Sequence, residues 1–134
     1  MSDEKKEALA KYLKIEVSDV DVDRHGTYEA EGSEYLVLTD SEADEKCKEE
    51  IENSLWAFNA SFLLAHMPKG MSEKAIKAIQ SELYEDANET FKNMIVDFDH
   101  FLNDAMKADG RGHFLSQYDG EENEAGKFFV YQTD

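Results

Sequence analysis

Two groups of side chains in this sequence have types and spacing that could do chemistry. The first is Asp19, Asp21 and Asp23, three carboxylates on alternate positions, the spacing with which a calcium loop offers oxygen ligands. Such a loop also needs Gly at its sixth place and Glu at its twelfth, and those places hold Arg24 and Ala30. The expectation is a solvated acidic loop. The second group is Asp97, Asp99, His100 and His113. On a helix, Asp97 and His100 lie three apart and share a face, where a carboxylate and an imidazole could ligate a metal or exchange a proton. His113 joins them only if the fold carries it there, so the expectation is of surface polar residues.

No HExxH, no P-loop and no Gly-rich dinucleotide fingerprint occurs. No motif nominates Ser41 or Cys47 as a nucleophile. Cys47 keeps register with Ala43 and Ile51 and reads as an inert core thiol. No catalytic residue, metal or cofactor is predicted, and the chain is expected not to be an enzyme. An unrecognised hydrolase or metal site built on Asp97, His100 and His113 is the competing reading.

The charge is more informative. The chain carries 31 Asp and Glu against 14 Lys and Arg, a net charge of -17 over 134 residues. Residues 1–15 net about +1, residues 16–54 about −11, residues 55–118 about −3 and residues 119–134 about −4. Such a chain repels nucleic acid and anionic membranes and favours cationic partners. The aromatic strand residues Phe128, Phe129 and Tyr131, with Tyr118, could stack bases. They sit beside the acidic stretch Asp119–Glu124, so burial against helices is expected instead.

At 134 residues with 41% hydrophobic content, the chain is expected to be a single acidic α+β domain, residues 1–134. One cysteine excludes an internal disulfide and fits a reducing compartment. Residues 1–15 lack the apolar core of a secretory signal, and the apolar stretch at 55–67 is too short and polar to span a bilayer. A soluble, cytoplasmic protein is expected.

The elements that must position these residues follow from periodicity. Residues 3–14 predict a helix with Ser2 as a possible cap. Residues 15–25 read as irregular. Thr27–Glu31 and Glu34–Leu38 predict a hairpin turning at Gly32-Ser33 in type II′ geometry, and the apolar run Tyr35–Leu38 predicts a central strand. Thr39 and Glu42 form a capping box for a helix expected over 40–67, buried along Ala43, Cys47, Ile51, Leu55, Phe58 and Phe62. Because Phe58 belongs to that stripe, Trp56 points elsewhere, toward core or a partner. Ser72 should cap a helical stretch over 72–108, either continuous or broken at Asn88-Glu89-Thr90. His113–Tyr118 and Lys127–Gln132 predict two further strands joined by the acidic loop 119–126. The fold class is therefore α+β: a small antiparallel sheet of two hairpins packed against two to three long amphipathic helices.

The stretches EYLVLTDSEADEKCKEEI at 34–51 and GRGHFLSQYDGEENE at 110–124 resemble small acidic proteins of bacteriophages and prophages. The resemblance implies a setting inside a bacterial host and brings no site residues.

The functional expectation is a phage-type binding protein that inhibits or modulates a basic host protein, nucleic-acid-binding or defensive, by imitating DNA charge. Its expected contacts are Asp19, Asp21, Asp23, Glu42, Asp44, Glu45, Glu49, Glu50 and Glu52. Direct nucleic-acid and membrane binding are not expected. The alternatives are a structural protein forming a homodimer through the 72–108 helix, and acid that serves solubility alone.

Overall fold

Helices begin here where short polar side chains satisfy the free amides of a first turn. The structure is a computed structural model that describes residues 3–134. Asp3 caps α1 (Glu4–Leu13), its Oδ1 accepting from the Lys6 amide at 3.1 Å. Ser2, the expected cap, lies outside the described residues. The capping box of α2 (Asp40–Asn53) forms as its residues predict: the Thr39 amide donates to Glu42 Oε1 at 2.9 Å, and the Glu42 amide to Thr39 Oγ1 at 3.2 Å. Ser72 caps α4 (Glu73–Leu83) by accepting from the Ala75 amide at 3.1 Å.

Both long helical stretches are broken. The expected 40–67 helix stops at Asn53, passes through a 3₁₀ turn at Leu55–Ala57, and resumes as α3 (Ala60–Leu64). Ser54 turns its hydroxyl back onto the Glu50 carbonyl at 2.6 Å, and Asn59 caps the new start by accepting from the Ser61 amide. The 72–108 stretch divides into α4, α5 (Ala87–Met94) and α6 (Phe98–Leu115). Its breaks fall at Tyr84–Asp86 and at 95–97, not at Asn88–Thr90, which lies inside α5. Asn88 holds the preceding segment instead, accepting from the Trp56 amide at 2.8 Å and donating to the Asn53 carbonyl at 2.7 Å.

The chain packs as two compact units, Met1–Cys47 with Asp109–Asp134, and Lys48–Ala108. In the first, β1 (Asp21–Val22), β2 (Tyr28–Ala30), β3 (Ser33–Leu38), β4 (Asn123–Ala125) and β5 (Phe128–Gln132) form one antiparallel sheet in the order β1-β2-β3-β5-β4. The fold is α+β, and β3 is central as its apolar run predicts. Tyr28, Ala30, Tyr35, Val37, Phe128 and Val130 pack with Leu9 and Ala10 of α1 into a buried cluster. The short α1, rather than the long helical stretches, thus covers this face. In the second unit Leu55, Leu63, Ile76, Phe91 and Phe101 are buried outright.

Three further expectations change. Residues 15–25 contain a 3₁₀ turn and β1. The β2–β3 turn is Glu31-Gly32, with φ of 54° and 81°, so both central residues are left-handed as in type I′ rather than II′. His113–Tyr118 is not a strand. The helical run restarts after Gly110 (φ 83°) through Leu115, and the hairpin partner of β5 is β4, inside the predicted acidic loop.

Candidate functional site

The turn at Glu31-Gly32 sets the register of β2 on β3, the turn at Asp23–Thr27 sets that of β1 on β2, and together they place three carboxylates. Asp21 pairs with Glu29 across β1 and β2, and Glu29 pairs with Glu34 across β2 and β3. All three are exposed, on the face opposite Tyr28 and Tyr35. Strands in a sheet are spaced by ~4.8 Å, so the acids form a ladder across the strand direction. Like charges directly opposite one another are unfavourable, and this sheet repeats the arrangement twice.

The ladder extends into an open concavity of about 280 Å³ lined by Asp19, Asp21, Glu29, Glu31, Glu34 and Asp134, with Ala30, Gly32 and Ser33. Among the described residues, none that lines it is basic. Asp134 is placed by the Glu34 amide, which donates to its Oδ1 at 2.6 Å, and by the Thr133 amide, which continues the β3–β5 pairing onto the Glu34 carbonyl at 2.9 Å. The surface offers cationic groups an array of fixed acceptors.

Asp19 and Asp21 belong to this surface, as two of the predicted contacts. Asp23 does not line it. Its Oδ1 accepts from the amides of His25 at 2.8 Å and Thr27 at 2.9 Å, closing an Asx turn into β2. The Thr27 bond, ahead of the His25 contacts, holds its carboxyl below the usual range.

Three acids of the predicted α2 array make ion pairs within the chain. Glu42 is engaged by Lys5 at 2.8 Å, and that bond, followed by the Thr39 amide, lowers its pKa. Asp44 is held by Arg111 at 3.0 Å, and Glu52 by Lys92. Glu45 lies in the first unit, whereas Glu49, Glu50 and Glu52 lie in the second. Glu45 and Glu49 are exposed and Glu50 is half-buried. The three paired carboxylates keep 41–47% of their side-chain surface exposed, and the acids placed directly opposite one another lie on the sheet.

Arg111 explains much of the Gly110-Arg111-Gly112 run. Its side chain is only 15% exposed. Nη1 donates to the Asp40 carbonyl, to Asp40 Oδ1 and to Asp44 Oδ1, each at 3.0 Å, and Nε to Glu122 Oε1 at 2.8 Å, while the guanidinium stacks over Phe129. Burial works against its charge, but the hydrogen bonds it donates to Glu122 and Asp40 outweigh it and raise the pKa. Tyr131 donates to the same Glu122 oxygen.

Of the predicted group, Asp97, Asp99 and His100 lie in the second unit and His113 in the first. Asp97 accepts from the His100 amide at 3.1 Å and so acts at the start of α6. His113 stacks edge-on against Phe114, and Asp99 is exposed. His100 instead meets His66 and Asp104. His66 escaped notice inside the expected 40–67 helix, although the i,i+4 spacing of His100 and Asp104 was visible. The Glu29–Glu34 pair was missed because a turn placed one residue too late pairs Glu31, rather than Glu29, with Glu34, and Asp134 because only the β3–β5 pairing brings it to Glu34. Cys47 is buried, as its register predicts. Phe128 and Tyr131 are buried too, but Tyr118 is exposed. No helix among the described residues is long and apolar enough to cross a membrane.

No family model matches the chain, and no curated protein or solved structure matches it.

Proposed function

We propose that this chain is an acidic binding protein of phage type that engages a basic surface of a bacterial host protein in place of DNA. The observation that carries the reading is the in-register ladder of Asp21, Glu29 and Glu34. A solubilising charge needs no register and is better served by dispersed acids of mixed neighbourhood. Here like charges are stacked across three strands at a cost to the sheet, an arrangement that a cationic partner relieves. The ~4.8 Å step between strands is comparable with the one charge per 3.4 Å that a single DNA strand presents along its axis. Rigid strands also hold the carboxylates at fixed spacing, so little order is lost on binding.

The experiment is retention of basic proteins from bacterial lysate on the immobilised chain, with and without added duplex DNA. Mimicry predicts nucleic-acid-binding proteins that are released by DNA and are not retained by an Asp21→Asn, Glu29→Gln, Glu34→Gln chain. Retention indifferent both to DNA and to these substitutions contradicts the reading.

A further inference from the structure

We propose that His66, His100 and Asp104 bind a divalent first-row transition ion. All three lie in the second unit, and none belongs to the carboxylate ladder of the sheet. His66 follows α3, and its carbonyl accepts from the Val96 amide at 3.0 Å, which ties its backbone to the chain entering α6. His100 and Asp104 stand at i and i+4 on α6, the spacing that sets side chains over one another.

Nε2 of His66 lies 3.2 Å from Oδ2 of Asp104, and Nε2 of His100 lies 3.5 Å from the same oxygen. The three ligand atoms all fall within 4.8 Å of one another. Donors bound at 2.0–2.1 Å to one tetrahedral ion are ~3.3 Å apart, so both separations suit two donors facing a common centre. An ordinary ion pair accounts for one imidazole on a carboxylate oxygen. The convergence of a second on the same atom is what a shared ion explains.

The ligands divide into a fixed one and adjustable ones. The His66 side chain is 9% exposed, with the rings of Phe62 and Phe101 at 5.5 and 5.1 Å. That apolar wall fixes its orientation and lowers the local dielectric, which strengthens the ion's hold. His100 at 64% and Asp104 at 41% exposure face solvent and can close on an arriving ion. Two imidazoles and one carboxylate favour zinc, iron, cobalt or nickel over magnesium and calcium, which take oxygen shells. Three protein ligands leave at least one position for water or a small ligand.

The test is calorimetric titration of the chelator-treated chain with Zn²⁺ in excess Mg²⁺, which occupies the acidic surface. One saturable equivalent per chain is expected. His100→Ala and Asp104→Asn, both at solvent-facing positions, should each weaken binding at least about a hundredfold, with the folded circular dichroism retained. His25→Ala and His113→Ala should leave the affinity unchanged. No saturable Zn²⁺ binding in Mg²⁺, or a site that survives both His100→Ala and Asp104→Asn, overturns the proposal. Binding that Mg²⁺ abolishes also overturns it, assigning the ion to the carboxylates instead.

Discussion

Arg111 donates to Asp44 at 3.0 Å across 67 residues of sequence. The bond joins two stretches far apart in sequence, 34–51 and 110–124. With Asp40 and Glu122 as further acceptors, the guanidinium holds the first turns of α2 and the loop before β4 at one point. The acids of α2 nearest its start are thus part of the scaffold, which leaves the ladder on β1, β2 and β3 as the acidic surface open to a partner.

Arg111→Lys should destabilise the chain by about 2 kcal/mol, the scale of a hydrogen bond to a charged group. A lysine keeps the charge but cannot span Asp40, Asp44 and Glu122 with one planar fork. The urea midpoint measures this, and an unchanged midpoint would count against Arg111 as a structural hub.

Gly112→Ala should destabilise, although alanine is the better helix former by about 1 kcal/mol. A Cβ there would collide with the Gly120 carbonyl oxygen and meet backbone atoms of Glu121 and Glu122 at 2.8 and 2.9 Å. Forced overpacking of this kind costs about 1–3 kcal/mol. Thermal unfolding of the variant gives the sign directly, and a raised Tm contradicts the close approach.

Glu29→Gln should stabilise the free protein by about 0.5 kcal/mol, since Glu29 opposes both Asp21 and Glu34. The gain should shrink at high salt, where exposed charges are screened. A loss of stability in the urea midpoint at low salt would show that the ladder carries no repulsion.

Stability should fall in alkali through the buried phenols. The Tyr28 hydroxyl donates to Asp3, and burial first, then that bond, push its pKa from 10.0 up to about 12. Burial, then the bond to Glu122, also raises Tyr131. A raised phenol keeps its proton in the native chain where the unfolded chain has lost it. The associated stability is fully present below pH about 10 and is lost as pH rises toward about 12. Tyr28→Phe should show a smaller decline in urea midpoint across that window, and an equal decline would refute the assignment.

Local chemistry was legible in the sequence wherever one residue determines it. The Thr39–Glu42 capping box, the Ser72 cap, the Cys47 burial and the central place of β3 all follow from side chains acting on their own neighbourhood. The breaks in the helices were less legible. Periodicity continues through Asn53–Asn59 and Tyr84–Asp86, and the first turn rests on the local bonds of Ser54 and Asn59 together with the long-range bonds of Asn88 to Asn53 and Trp56. The acidic site was half legible. Asp19 and Asp21 stood out as a cluster, whereas Glu29 and Glu34 become neighbours only when the turn is set at Glu31-Gly32. The ion pairs of the α2 acids were not legible, because Lys5, Lys92 and Arg111 lie 37 to 67 residues away from Glu42, Glu52 and Asp44 and bear on them only after folding.

The most direct measurement is calorimetric titration with a Lys- and Arg-rich peptide at low and high salt. Two charge-matched variants are compared: Asp21→Asn, Glu29→Gln, Glu34→Gln on the sheet, and Glu82→Gln, Glu85→Gln, Asp86→Asn in the second unit. The account predicts saturable binding that weakens steeply with salt. It also predicts about a tenfold or greater loss in the sheet variant, with little change in the other. Equal losses in the two variants would mean that total charge, and not the Asp21–Glu29–Glu34 ladder, attracts the partner.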